Sequence, residues 1–146
     1  MKNNILLICV LSALIFTGCQ SKKGALSISS PNLKNRIEFN LLKNGAISYL
    51  VTHDDIQIID TSLISFEFQG EEPFKVDFEV VNSVNSSYSE RWEMPWGEQR
   101  EVINSFNQIL VELRETITPK RRLNIYFRAY DDGVAFRYEF LPQRGV

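Results

Sequence analysis

The 146-residue sequence has one histidine and two cysteines, and its net charge is only −2 at a pI near 5.5. Each shortage excludes a class of function. Without a basic field there is no electrostatic footprint for nucleic acid. With a lone His53 beside Asp54 and Asp55, and no cysteine cluster, a zinc site has no ligand set, and His53 reads as a solvated turn residue. After residue 20 there is no apolar run long enough to span a membrane, no 3.6-residue apolar period, no internal repeat and no low-complexity tract. Helical bundles and solenoids are thereby excluded, and one domain accounts for the length.

What is present begins with an export signal. Lys2 gives a positive start, Ile5 to Phe16 is apolar, and Thr17-Gly18-Cys19 ends the run. Residues 1–18 read as a signal peptide of lipoprotein type. Small residues directly before Cys19 resemble a bacterial lipobox, which implies cleavage after Gly18 and lipid attachment to Cys19. Cys9 leaves with the signal, so Cys19 is the sole cysteine of the mature chain and no internal disulfide can form. Several acyl chains on it would hold the protein at the cell envelope, in the periplasm or on the outer membrane, where one would not. Residues 19–25 read as a polar tether.

From residue 26 onward the chain is rich in aromatics, with ten Phe, five Tyr and two Trp, and breaks into short alternating runs. This pattern predicts an all-β sandwich. Leu26 to Ser29 is the first strand, stopped by Ser30-Pro31-Asn32. Arg36 to Leu42 and Ala46 to Thr52 form a hairpin about Asn44-Gly45, with Phe39 opposite Leu50, Leu42 opposite Ile47, and apolar residues on both faces. Ile56 to Asp60 and Leu63 to Gln69 follow as strands, then Val76, Phe78 and Val80 alternate with Lys75, Asp77 and Glu79. Asn82 to Ser89 is polar and reads as an exposed loop. Glu101 to Phe106 and Gln108 to Thr116 are further strands.

The last hairpin carries the strongest pattern. Leu123, Ile125, Phe127 and Ala129 alternate with polar residues before the turn, as do Val134, Phe136, Tyr138 and Phe140 after it. A two-residue turn at Asp132-Gly133 pairs Ala129 with Phe136, Phe127 with Tyr138 and Ile125 with Phe140. The same register sets Arg128 opposite Arg137, which is destabilising unless an acid covers them, either a carboxylate from elsewhere in the chain or a neighbouring domain. Glu98 and Glu112 are candidates for that acid; a site for an anion or a sugar is the other reading.

Glu90 to Glu98 holds both tryptophans, Trp92 and Trp96, with three carboxylates and a Pro-Trp-Gly break. Aromatic rings stack on sugars and carboxylates hydrogen-bond their hydroxyls, while the alternative is that the tryptophans plug the sandwich end. Trp92, Trp96, Glu98, Arg128 and Arg137 are therefore the candidates for sugar binding or domain packing. Paired carboxylates could serve glycoside hydrolysis, but three on one short loop do not define a cleft.

Arg128-Ala129-Tyr130-Asp131-Asp132-Gly133-Val134-Ala135-Phe136-Arg137-Tyr138 resembles the signature of the N-terminal domain of glycoside hydrolase family 97. Ser30-Pro31-Asn32, Trp96-Gly97-Glu98 and Asn104-Ser105-Phe106-Asn107 resemble further elements of that domain in the same order. The resemblance implies a partial β-supersandwich, similar to galactose mutarotase-like domains, over residues 26–146. It implies a family of calcium-dependent α-glucosidases and α-galactosidases whose catalytic carboxylates lie on a following (β/α)₈ barrel. No residue here inherits a catalytic or calcium-binding role, and hydrolysis by this chain alone is not expected. The family domain is about twice as long, and Leu141 to Val146 departs from the usual continuation, so the chain reads as a truncated form with exposed apolar strand edges and a tendency to aggregate. Two other readings stand beside it: a stand-alone sugar-binding lipoprotein and a non-functional remnant.

Overall fold

A computed structural model describes residues 26–98 and 100–143. The expected signal peptide, Cys19, the tether and the terminal Arg144 to Val146 lie outside the described residues. Eight strands form two antiparallel four-stranded meanders. The first sheet runs β1 (Leu26–Ser29), β2 (Asn35–Leu41), β3 (Ile47–His53) and β4 (Ile56–Ile64). The second runs β5 (Phe78–Glu93), β6 (Glu101–Glu115), β7 (Arg122–Tyr130) and β8 (Gly133–Phe140). The fold is an all-β sandwich, with β1 and β2 packed over β6, β7 and β8.

Alternation along the strands decides which side chains meet between the sheets. Ile37 and Phe39 on β2, Ile47 and Val51 on β3, and Ile109, Val111 and Leu113 on β6 are all buried there. Leu123, Ile125, Phe127 and Ala129 on β7 are at most 1% exposed, so the inward face read from the sequence is the core face. Phe39 and Phe127 meet across the two sheets with ring centroids 5.9 Å apart. Each such ring removed from water contributes about 1.5–3 kcal/mol.

Two hairpins differ in register from the sequence reading. Between β2 and β3 the loop is Lys43-Asn44-Gly45, closed by Leu42 N–H to Ala46 O at 2.9 Å and Gly45 N–H to Leu42 O at 2.8 Å. Gly45 takes the left-handed position (φ 74°), as in a three-residue loop, not the two-residue Asn-Gly turn. The extra loop residue slips the pairing by one, so Phe39 faces Tyr49 instead of Leu50 and Leu41 faces Ile47. The loop is also stitched to β5, since Asp77 N–H donates to Asn44 O and Phe78 N–H to Gly45 O.

Between β7 and β8 the turn is Asp131-Asp132, with Tyr130 opposite Gly133, Phe127 opposite Phe136 and Ile125 opposite Tyr138. Neither aspartate has a positive φ. The slip from the expected pairing is two residues, which leaves every side chain on its expected face because the strand period is two. It does separate the arginines: Arg137 faces Tyr126, and Arg128 faces Ala135.

Residues 82–89 are exposed as expected but are strand, not loop, because β6 pairs with them along their whole length. The two strands expected on either side of Asn107 are the single strand β6. The strand expected over 63–69 is shorter: β4 ends at Ile64, and Phe66 continues only as a bridge to Phe74. Phe66, Phe68 and Phe74 still turn inward, where they meet Phe78, Tyr138 and Phe140 edge-on or tilted. Ile56, Ile58 and Leu63 on edge strand β4 are exposed.

Candidate functional site

The outer face of the second sheet takes the alternate residues of β6, β7 and β8. Phe106 lies opposite Tyr130, Gln108 opposite Arg128, and Leu110 opposite Tyr126. The Arg128 guanidinium lies 4.3 Å from the Phe106 ring centroid, and its Nε donates to Gln108 Oε1 at 2.7 Å. Phe106 in turn stacks on Tyr88 (5.1 Å) and meets Tyr130 at 5.0 Å. The Arg137 guanidinium lies 3.8 Å over Tyr126. Each cation thus rests on an aromatic ring, whose negative face attracts it.

Among the described residues neither Glu98 nor Glu112 is paired with these arginines. Among the described residues neither Arg128 nor Arg137 forms a salt bridge. Glu112 stands between Asn82 and Asn124, and Glu98 lies in the β5–β6 turn. Glu139 on this face accepts from Asn124 Nδ2 at 3.1 Å and Tyr126 Oη at 3.0 Å. These two bonds hold its carboxyl below the ordinary range. Partial burial, then the bond to Glu139, push the Tyr126 phenol up. Tyr88 is likewise raised by its hydrogen bond to Glu90.

Beyond this face β5 and β6 continue as a two-stranded ribbon. β7 stops at Tyr130 opposite Phe106, whereas β5–β6 pairing runs on to Glu93–Glu101. Trp92 stands opposite Val102 on the ribbon and is 42% exposed; Trp96, in the turn, is 78% exposed. The tryptophans therefore do not plug the sandwich end. The ribbon's charges are engaged in exposed pairs, Arg91 with Glu101 (2.9 Å) and Arg100 with Glu93 (3.6 Å). Trp92 and Trp96 belong to separate concavities, so the five candidate residues do not converge on one site.

One concavity joins several of the elements singled out in the sequence. Where β7 ends, a groove of about 530 Å³ opens between the ribbon and the β7–β8 turn, lined among others by Trp92, Asn104, Tyr130, Asp131 and Asp132. Its turn side is fixed by the first sheet. Asn32 N–H donates to Asp131 Oδ1 at 2.8 Å, and Asn35 Nδ2 donates to the carbonyls of Tyr130 (2.9 Å) and Asp131 (3.1 Å). Asn35 is held by Ser30 Oγ, which accepts its N–H at 3.0 Å, and by His53 Nδ1 at 2.6 Å from its Oδ1. His53 is thus hydrogen-bonded, not merely solvated. Asn107 Nδ2 donates to Ser29 O at 2.8 Å and so ties β6 to β1. Asn104 and Asp132 have no side-chain hydrogen bond among the described residues.

Sequence reasoning missed a buried ion pair at the opposite end of β6 and β7. Glu115 and Arg121 are 2% and 4% exposed, and the guanidinium donates to both carboxylate oxygens at 2.6 and 2.8 Å. It also donates to the carbonyls of Glu72 and Pro73 and lies 4.6 Å over Phe74. Among the described residues no three His, Cys, Asp or Glu side chains converge as metal ligands.

Comparison with known proteins places this arrangement. The family model described as the glycosyl-hydrolase 97 N-terminal domain matches residues 28–145. Among solved structures the chain is similar to a glycoside hydrolase family 97 enzyme from Pseudoalteromonas sp. strain K8, in complexes with panose and with acarbose. Identity is 28% and the TM-score 0.76, over 82% of this chain and 18% of that one. It also shares its fold with a β-arabinopyranosidase at 17% identity and a TM-score of 0.71, over 82% of this chain and 19% of that one.

Proposed function

Since this chain belongs to the glycosyl-hydrolase 97 N-terminal family, we propose that it serves as the non-catalytic scaffold and carbohydrate-contacting domain of an α-glucosidase or α-galactosidase. The observation that carries this reading is a family match over residues 28–145 on a sandwich that spans only 18% of the length of the enzyme it resembles. Panose and acarbose bound to that relative support a sugar as the partner.

The chemistry of the ribbon supports the non-catalytic part. Glycoside hydrolysis needs two carboxyl groups facing each other across the scissile bond, one of them in an environment that keeps it protonated. Here Glu93 and Glu101 are exposed and paired with arginines, and Glu90 accepts from Tyr88. Calcium belongs to the reading of a complete family enzyme. Among the described residues no three His, Cys, Asp or Glu side chains group together. A lipid on Cys19 and a place at the bacterial cell envelope complete the proposal.

Nitrophenyl α-glucoside and α-galactoside, incubated with the purified chain after circular dichroism has shown a β-rich fold, should yield no nitrophenol above buffer. Turnover proportional to protein would overturn the proposal. A stand-alone sugar-binding lipoprotein is favoured by one observation, the groove beside Trp92. Coding sequence downstream distinguishes the two: reading-frame similarity that continues into a barrel supports the enzyme domain.

A further inference from the structure

We propose that the groove between Trp92 and the Tyr130–Asp132 turn is a subsite for one neutral hexopyranose unit, which rests on the carbohydrate-contacting role above and assigns it a place. Shape comes first. At about 530 Å³ the groove falls within the range of small-molecule sites, and it exists because β7 ends at Tyr130 while the ribbon continues.

Its chemistry is two-sided. Trp92 and Tyr130 supply aromatic surface, against which the C–H face of a pyranose ring can lie. Asn104 and Asp132 supply polar groups. Among the described residues neither side chain has a hydrogen-bond partner, whereas the neighbouring Asp131 is engaged with Asn32. An ionised carboxylate is an acceptor only, and an amide both donates and accepts, so together they match the hydroxyls of a sugar. Asp131 and Asp132 repel an anion, and among the described residues no third carboxylate, imidazole or thiolate joins them.

The turn side is pre-ordered. The carbonyls of Tyr130 and Asp131 are fixed by Asn35, the Asp131 carboxylate by Asn32 N–H, and the Tyr130 ring rests against Phe106. A site held in place before the ligand arrives loses less entropy on binding.

The chain has two tryptophans, so Trp96→Phe leaves Trp92 as the sole indole reporter. Titration of that variant with maltose and with panose should shift Trp92 emission saturably. By calorimetry, Trp96→Phe should bind as the unaltered chain does. Trp92→Ala should weaken binding at least about tenfold, the loss of one good contact, and Asp132→Asn should weaken it severalfold, because a neutral amide replaces a charge-assisted acceptor. Asp132→Asn keeps the shape of an exposed turn residue and so guards against a folding artefact from Trp92→Ala. No saturable emission change in a folded chain, or affinity untouched by both substitutions, would overturn the subsite. Either result would leave the scaffold role standing, since that role fails on hydrolysis by the chain.

Discussion

Asn35 Nδ2 donates to the main-chain carbonyl of Tyr130 at 2.9 Å, joining residues 95 apart in sequence and on different sheets. The same amide group reaches Asp131 O, and Asn32 N–H reaches the Asp131 carboxylate. The segments that carried the family resemblance, Ser30-Pro31-Asn32 and Asp131-Asp132-Gly133, are thus bonded to one another. Asn107, from a third such segment, bonds to Ser29 O one residue before the first. These residues hold the two sheets in register at one end of the sandwich.

The other end is held by charge. Removing one partner of a buried ion pair leaves the other a buried charge stripped of its opposite charge, which costs about 3–5 kcal/mol. Glu115→Gln and Arg121→Met should each lose roughly that much in urea unfolding. The double variant should lose less than the sum of the two, because no lone charge remains buried. Additive losses would contradict this picture.

Gly45 is constrained twice. Its φ of 74° disfavours a side chain, and a Cβ there would lie 2.6 Å from Phe78 N and 2.8 Å from Asp77 Cα, both main-chain atoms. Gly45→Ala should therefore destabilise by about 1–3 kcal/mol, the range for forced backbone strain. Gly70→Ala should cost less, because its Cβ meets nothing within 4 Å although its φ is also positive. Equal thermal shifts for the two would show that the contact with β5 contributes nothing.

Glu139 sets an acid dependence. Its folded carboxyl is held below the ordinary value of 4.5, chiefly by Asn124 and then by Tyr126. A depressed carboxylate adds stability above its unfolded pKa, and this is lost as the pH falls through the folded value. The stability gap between the unaltered chain and Glu139→Gln should be present at about pH 6 and should shrink as the pH falls well below 4.5. A gap constant with pH would remove Glu139 from the account.

Much of this fold was legible because alternation survives errors of register by two. The β7–β8 turn sits one residue earlier than Asp132-Gly133 suggested, yet Leu123, Ile125 and Phe127 are buried as read. What moved was the pairing of Arg128 with Arg137, which depends on absolute register. The β2–β3 hairpin shows the harsher case. Asn44-Gly45 reads as a two-residue turn, but bonds from β5 to Asn44 O and Gly45 O favour a three-residue loop, and no local signal announces them. Residues 82–89 lack strand propensity and are strand through pairing with β6 alone. The Glu115–Arg121 pair was invisible for a related reason: six residues apart around a turn, both look like ordinary solvated charges. Of the site, Trp92 and the Asp131-Asp132 turn were each singled out, but only the end of β7 brings them to one groove.

The most direct test of the central claim, that Asn35 joins the two sheets while sugar contact belongs to the groove beside it, is urea unfolding of Asn35→Ala beside its maltose titration. The account predicts a loss of about 1 kcal/mol from the part-buried carbonyls left without their donor, at an unchanged m-value, with maltose still bound by the fraction that is folded. Unaltered stability together with abolished binding would contradict it, since Asn35 would then be serving the ligand and not the join between the sheets.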